Sequence, residues 1–318
     1  MLYSVIKWYA RLAIKVYCPY LYINKPQLLQ SNGPLLLACN HPNSFLDGII
    51  LTTLFKQPVY SLARGDAFKY KWANRMLRKL QLLPIYRTSE GIENLEQNYT
   101  TFASCIEVFK KGAIVLIFSE GLCHNEWHLR PLRKGTARLS IAAWENDVPL
   151  QVLPVGFNYS SFKQFGKVVH LLFGTSFNKE IIEGCDTHGK QLLAFNTQLQ
   201  QQLQPLVYEI EAGNPQITAT FKPPVNGLKI VLLVLPAIIG FLLHALLFYP
   251  LKAMVHFRFA KSGHYDSVLT SLLILLYPLY LRVVVLLLFG VVGWLALLLF
   301  IISPFTAWAF MQLRLMFP

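Results

Sequence analysis

The chain has 318 residues, 54% hydrophobic and only 14% charged, and its 29 Lys and Arg against 16 Asp and Glu give a net charge of +13. That length allows one ordinary domain and a smaller part, and the apolar excess lies mostly beyond Gly227, so the expectation is a soluble region followed by a membrane region. The positive charge without any nucleic-acid-binding motif argues against RNA or DNA and for an anionic membrane lipid as partner, while five Cys without scaffold spacing read as free thiols in a reducing compartment.

Residues 1–17 set Ser4, Lys7, Arg11 and Lys15 on one helical stripe, with Val5, Ile6, Trp8, Leu12, Ala13 and Val16 around the rest. This is a basic amphipathic helix that either lies in a membrane interface or packs on the domain. It is not a signal peptide pattern, because charges interrupt each apolar run. Strand-like runs follow at 34–38, 58–63, 82–86, 113–118, 150–157 and 168–173. Helical patterns at 68–80, 92–110, 134–144 and 190–210 fall mostly between them. The alternation predicts an α/β fold, a mostly parallel sheet flanked by helices. In the helix at 68–80, Lys69, Lys71, Arg75, Arg78 and Lys79 oppose an apolar face of Phe68, Trp72, Met76, Leu77 and Leu80. Such charges are either solvated or rest on anionic headgroups or an acidic acyl carrier.

Gly213, Pro215, Pro223, Pro224 and Gly227 mark a boundary, beyond which hydrophobic stretches occupy 228–249, 267–281 and 283–302. The first and third are long enough to span a bilayer, which needs about 20 apolar residues, and Pro236 and Gly240 interrupt the first. The basic stretch 252–261 is expected on the cytoplasmic side, where the soluble domain is also expected. A re-entrant hairpin broken near Pro236 reconciles the two.

Chemistry concentrates in Cys39-Asn40-His41-Pro42-Asn43-Ser44-Phe45-Leu46-Asp47-Gly48, directly after the first buried strand. Pro42 suits the first turn of a helix continuing through 49–54, so a histidine and an acid meet at a strand-to-helix junction, where open α/β sheets bind ligands. The plain reading is a His satisfied by a neighbouring carboxylate. The chemical reading makes His41 a general base and Asp47 the group that fixes its tautomer. Further polar residues end other strands: Arg64 after the run at 58–63, Arg87 after 82–86, and Glu120 with Gly121 after 113–118. A guanidinium fork suits phosphate oxygens, and Glu120 suits either a polyol or the orienting of an arginine. Pro154 sits in the apolar run Val152-Leu153-Pro154-Val155-Gly156-Phe157. Cys123, His124, Glu126 and His128 cluster, but Glu126 is one place late for a zincin pattern, and neither a metal nor another cofactor is expected.

Taken in order, these motifs over about 34–174 make the chain resemble the glycerolipid acyltransferases that acylate glycerol-3-phosphate and lysophosphatidate. The resemblance implies transfer of a fatty acyl group from acyl-CoA or acyl carrier protein to a glycerol hydroxyl. It implies His41 and Asp47 as the catalytic pair, Arg87, Glu120 and Gly121 as acceptor-binding positions, with Arg64 beside them, and Pro154 at the acyl pocket. Two departures stand out. Five residues separate His41 from Asp47 where four are common, which is tolerable only if His41 precedes the helix. Ser119 also replaces a proline before Glu120, a change expected to loosen that turn. The organisation expected is an interfacial segment 1–30, an acyltransferase domain 31–221 on the cytoplasmic side, and a membrane-embedded helical region 222–318. Another lysolipid or amino-lipid acceptor is the alternative within this chemistry, and a catalytically silent membrane scaffold is the alternative outside it.

Overall fold

The computed structural model describes residues 2–86, 92–211 and 213–317, with side chains from Tyr99 onward in the helix that starts at Ile92. In chain order the elements are α1 (Leu2–Tyr17), β1 (Tyr20–Ile23), β2 (Leu35–Cys39), α2 (Phe45–Leu54), β3 (Val59–Arg64), α3 (Lys71–Lys79), β4 (Leu82–Ile85), α4 (Ile92–Lys110), β5 (Ile114–Phe118), α5 (Lys134–Glu145), β6 (Gln151–Tyr159), β7 (Val168–Phe173) and α6 (His188–Leu203). A short α7 (Gln216–Thr220) and three long apolar helices follow: α8 (Gly227–Phe259), α9 (Tyr265–Val292) and α10 (Leu299–Met316).

The strands form one sheet in the order β1-β7-β6-β2-β5-β3-β4. β2 pairs in parallel with both β5 and β6, and β3 pairs in parallel with both β5 and β4. Leu36 and Ala38 of β2 point to the same face as Val115 and Ile117 of β5, and there they join a core with Cys105 and Phe109 of α4, Ala137 and Ile141 of α5 and Phe195 of α6. The alternate residues face the other way, where α2 buries Leu46, Ile50 and Leu51. A strand covered on both faces reads as an unbroken apolar run, which is why all five β2 residues are buried.

The chain divides into two compact units. The first comprises Met1–Trp8, Ile23–Asn158 and His170–Ala212, and the second Tyr9–Tyr22, Tyr159–Val169 and Gly213–Pro318. In the first, the buried amine side of α1 is used locally: Lys7 donates to the Phe55 carbonyl at 2.7 Å, and the Val59 N–H donates to the Tyr3 hydroxyl. Leu2, Val5, Ile6 and Trp8 remain exposed.

Several expectations change. β1 has no counterpart in the sequence reading, since four residues with aromatic and β-branched side chains carry too little period to stand out. The helix after β2 begins at Phe45, three residues beyond Pro42, because the intervening turn wraps around the Asp47 carboxylate. Trp72 and Met76, assigned by periodicity to the packed face of α3, point outward at 68% and 44% exposure, while Ala73 is buried and Leu77 half-buried. No hairpin breaks at Pro236: α8 stays helical through Pro236 and Pro250 and takes in most of the supposed basic loop, leaving only 260–264 as a turn. A helix whose neighbours supply the missing packing tolerates such prolines. The stretches 267–281 and 283–302 likewise merge, with α9 running to Val292 and a 3₁₀ segment leading from Gly293 into α10.

Within the second unit, α8 and α10 approach closely at Gly240, where a Cβ would lie 2.2 Å from the Thr306 carbonyl oxygen. α8 and the α9 to α10 stretch are long and apolar enough to cross a membrane, and their most hydrophobic windows are only 17% and 11% buried, unlike the core helices of a soluble protein. The polar centre of this unit is a buried ion pair. Lys167 donates to Asp266 at 2.5 Å, Tyr17 donates its hydroxyl to the same carboxylate, and all three residues are at most 1% exposed. Removing the cation from such a pair costs about 3–5 kcal/mol, whereas replacing both ions with apolar groups is often neutral. Lys167→Met is therefore expected to lower the thermal stability of the detergent-solubilised chain sharply, and Lys167→Met combined with Asp266→Leu to restore most of it. Equal losses in the single and double variants would show that the charge pairing is not what matters there.

Candidate active site

The register of the sheet places the site. Cys39, the last residue of β2, lies opposite Phe118 of β5 on one side and Val155 of β6 on the other, so the residues that follow β2 and β5 emerge next to each other at the carboxyl edge. Asn40 continues the sheet with its side chain, donating to the Phe157 carbonyl at 3.1 Å and accepting from the Phe157 N–H at 2.7 Å. Ser119 continues it on the β5 side, donating its N–H to the Cys39 carbonyl at 2.8 Å. A proline there has no N–H to give. The substitution that was expected to loosen the turn therefore adds a bond, and the Ser119 hydroxyl accepts from Thr136 of α5 as well.

Between these anchors the His41 main chain is held at both ends. Its N–H donates to Glu120 Oε2 at 2.7 Å, and its carbonyl accepts from the His124 N–H at 3.2 Å. The loop after β5 grips the next residues in the same way: Asn125 donates to the Pro42 carbonyl at 2.8 Å, and the Ser44 N–H meets Cys123 Sγ at 2.9 Å. The second oxygen of Glu120 accepts from the Arg130 N–H at 2.9 Å. Gly121 follows with φ of 72°, a conformation that disfavours side chains, and a Cβ there would crowd Arg133. Burial raises the Glu120 pKa above the ordinary carboxylate range, and the two N–H donors only partly oppose it.

Asp47, fully buried in the first turn of α2, directs Oδ2 back toward the turn, where it accepts from the Asn43 N–H at 2.9 Å and from His41 Nδ1 at 2.9 Å. A buried acceptor at Nδ1 selects the tautomer that leaves Nε2 with its lone pair. The imidazole lies flat on Phe118, with ring centroids 3.8 Å apart and planes 12° apart, and the side chain keeps 13% exposure. His41 precedes the helix, as the five-residue spacing requires, and its two ring contacts, with Asp47 and Phe118, leave Nε2 as the atom available for proton transfer.

The other sequence-derived residues divide. Glu120 and Gly121 join His41 and Asp47. Arg64 ends β3 on the exposed surface, with its guanidinium bound to Asp66. Pro154 is buried inside the sheet opposite Ala38, one position short of the edge, and its carbonyl accepts from the Gly174 N–H. Arg87 lies outside the described residues. The Cys123 to His128 group disperses: Glu126 takes the Arg130 guanidinium at 2.6 Å, which lowers its pKa, and His128 pairs with Glu209 at 2.6 Å. Among the described residues no group of three or more His, Cys, Asp or Glu is placed to hold a metal. Sequence reasoning missed Asn40, Phe118 and the grip of the loop at 123–125. A polar Asn directly between an apolar strand and a histidine was the one available signal.

The site thus brings a His–Asp pair to the carboxyl edge of a parallel α/β sheet. Residues 21–158 match the family model described as Acyltransferase. A curated relative, 1-acyl-sn-glycerol-3-phosphate acyltransferase of Bacillus subtilis (strain 168), is 27% identical over 128 residues, covering 40% of this chain and 56% of the relative. The chain therefore spans little more than half the length of that curated relative. The crystal structure of the 1-acyl-sn-glycerophosphate (LPA) acyltransferase PlsC from Thermotoga maritima aligns with a TM-score of 0.46 and 13% identity over 66% of this chain and 80% of that one.

The raised pKa of Glu120 has a sign that can be checked. A carboxyl that holds its proton more tightly in the fold than in the unfolded chain gives its full stability below the ordinary carboxylate range, and loses it as pH rises through the raised value. Thermal unfolding of the wild type and Glu120→Gln at about pH 4 and about pH 7 is expected to show a wild-type advantage that shrinks toward neutrality. An advantage that grows with pH would mean that the two N–H donors outweigh burial.

Proposed function

We propose that this chain is a membrane-bound O-acyltransferase of phospholipid synthesis, moving a fatty acyl group from an acyl thioester to a hydroxyl of glycerol-3-phosphate or 1-acylglycerol-3-phosphate. The observation that carries this reading is the His41–Asp47 pair with Nε2 open at the carboxyl edge of a domain matching the acyltransferase family. The named relative, an acylglycerol-phosphate acyltransferase, supports the acceptor class.

The chemistry follows from the geometry. Nε2 of His41 takes the proton of the acceptor hydroxyl as its oxygen attacks the thioester carbonyl, and Asp47 stabilises the imidazolium that forms. The tetrahedral intermediate then collapses. The C–S bond breaks, and the proton passes from Nε2 to the departing thiolate, so acyl group and proton have changed places. No acyl-enzyme forms. The donor is acyl-CoA or acyl carrier protein. Arg87 and Arg64 are assigned to the acceptor phosphate, Glu120 and Gly121 to the turn beside the acceptor, and Pro154 to the acyl side. The long α8 to α10 helices support a membrane location.

Purified chain in mixed micelles, offered glycerol-3-phosphate and lysophosphatidate with each donor in turn, tests the proposal. Turnover of neither acceptor with either donor sinks it. His41→Ala is expected to cut turnover by about 100- to 10,000-fold, the usual worth of a general base, while the protein stays folded. Wild-type turnover in that variant would take His41 out of the mechanism. For Arg87, contact with a phosphate remote from the reacting hydroxyl acts equally in ground and transition states, so Arg87→Ala is expected to raise the acceptor KM while sparing kcat. The loss should be that of a charge-assisted bond, about 1.5–3 kcal/mol, or roughly 10- to 150-fold in kcat/KM. Arg87→Lys should recover part of it, because the charge stays and the fork is lost. A collapsed kcat at constant acceptor KM would instead make Arg87 catalytic or structural.

A further inference from the structure

The outward turn of α3 is the observation that the site does not absorb. The helix packs through Ala73, Leu77 and the following Leu80, all buried or half-buried, and turns Trp72, Arg75, Met76 and Lys79 to the outside. These four fall at i, i+3, i+4 and i+7, which is one helical stripe. Just before it, Tyr70 is also exposed at 62%, between exposed Lys69 and Lys71. A Trp with 68% of its surface exposed is costly to leave in water. The charge around it has a single sign: residues 67–80 carry Lys69, Lys71, Arg75, Arg78 and Lys79 and no Asp or Glu. Among the described residues no carboxylate pairs with any of the five, and Arg78 donates only to its neighbour Asn74.

We propose that this face of α3 docks on an anionic lipid leaflet, with Trp72, Tyr70 and Met76 entering the interface and the lysines and arginines reaching headgroup phosphates. The inference rests on the membrane-bound reading above and goes beyond it by naming a surface of the sheet domain, separate from the apolar tail. Aromatic rings between cations suit the polar–apolar boundary of a bilayer, where rings sit at headgroup depth and long basic side chains reach outward. An acidic carrier protein answers the charge equally well, but it offers less to a Trp and a Met standing side by side away from any groove. α3 follows β3, whose last residue Arg64 stands at the carboxyl edge that also carries His41. A leaflet held at α3 would therefore keep lipid substrates near that edge.

The test uses the full chain in nanodiscs, of phosphatidylcholine alone or with about a third phosphatidylglycerol, and maps lysine accessibility by brief acetylation and mass spectrometry. Attraction to an anionic surface is worth about fivefold per basic residue near it, so acetylation of Lys69, Lys71 and Lys79 is expected to fall by at least about fivefold when phosphatidylglycerol is present. The exposed Lys179 and Lys190 should keep their reactivity and serve as internal references. Trp72→Ser with Met76→Ser should remove most of the protection and leave acyl transfer in detergent micelles unchanged. Four results would overturn the proposal: no protection in either nanodisc; equal protection with and without phosphatidylglycerol; protection in phosphatidylcholine discs by soluble glycerol phosphate, which would mark a site for small phosphates; or protection only when an acyl carrier protein is added. Footprinting needs no turnover, so protection in a chain that transfers no acyl group would leave the docking surface standing and remove the enzymatic reading, and the reverse result would do the opposite.

Discussion

Two backbone N–H groups, from His41 and Arg130, converge on the one buried carboxylate of Glu120, and the shape of the site follows from that convergence. A carboxylate taken from water must find donors, and here the donors belong to the turn after β2 and the loop after β5. Satisfying Glu120 thus fixes the distance between two segments whose strands already lie side by side. With the main chain of His41 held, its ring has few options: Phe118 supports one face, Asp47 takes Nδ1, and Nε2 carries neither contact. Precision at the imidazole is reached through main-chain bonds, which vary less than side-chain rotamers.

Much of this was legible in the sequence, for reasons that can be named. Strands buried on both faces are runs of branched apolar residues, so β2, β3, β5 and β6 announced themselves within a residue or two. His41 and Asp47 stood out because ionisable residues directly after such a run have few structural uses. Glu120 was also visible, but what it binds was not. Its partners are backbone N–H groups, which every residue carries, so no pattern of side chains encodes them. Asn40 and Ser119 were hidden for the same reason, as both act by extending the hydrogen-bond ladder of the sheet past its last strand residues.

At α3 and α1 periodicity grouped the apolar residues without deciding which way they face. A helical count groups Phe68, Trp72, Met76, Leu77 and Leu80 as one apolar set, yet the structure buries Phe68 and turns Trp72 and Met76 to the outside. In α1 the count left an interfacial and a packed helix both open, and in the structure Lys7 reaches the Phe55 carbonyl while the apolar Leu2, Val5, Ile6 and Trp8 are exposed. The rule that apolar residues face the core assumes that water is the only alternative. Where an interface offers a second apolar medium, the same amphipathic pattern fits either orientation, and only packing decides.

The close approach at Gly240 has a bearing on how the tail tolerates change. In hydrocarbon, lipid chains are as apolar as leucine, so helices gain nothing by hiding leucines from them and associate through close contact of small residues. α8 and α10 meet where Ala237, Gly240, Ser303, Thr306 and Ala309 bring the two backbones together, all of them small. The bulky residues of the same helices, such as Leu232, Leu246, Ile301 and Phe305, point away and are exposed. Two vocabularies therefore share one helix: outward positions in which any large apolar side chain serves as well as another, and the contact at Gly240, in which a single methyl group is too much. Exchange of one large apolar side chain for another is therefore expected to be tolerated at the outward positions, while any side chain at Gly240 is not.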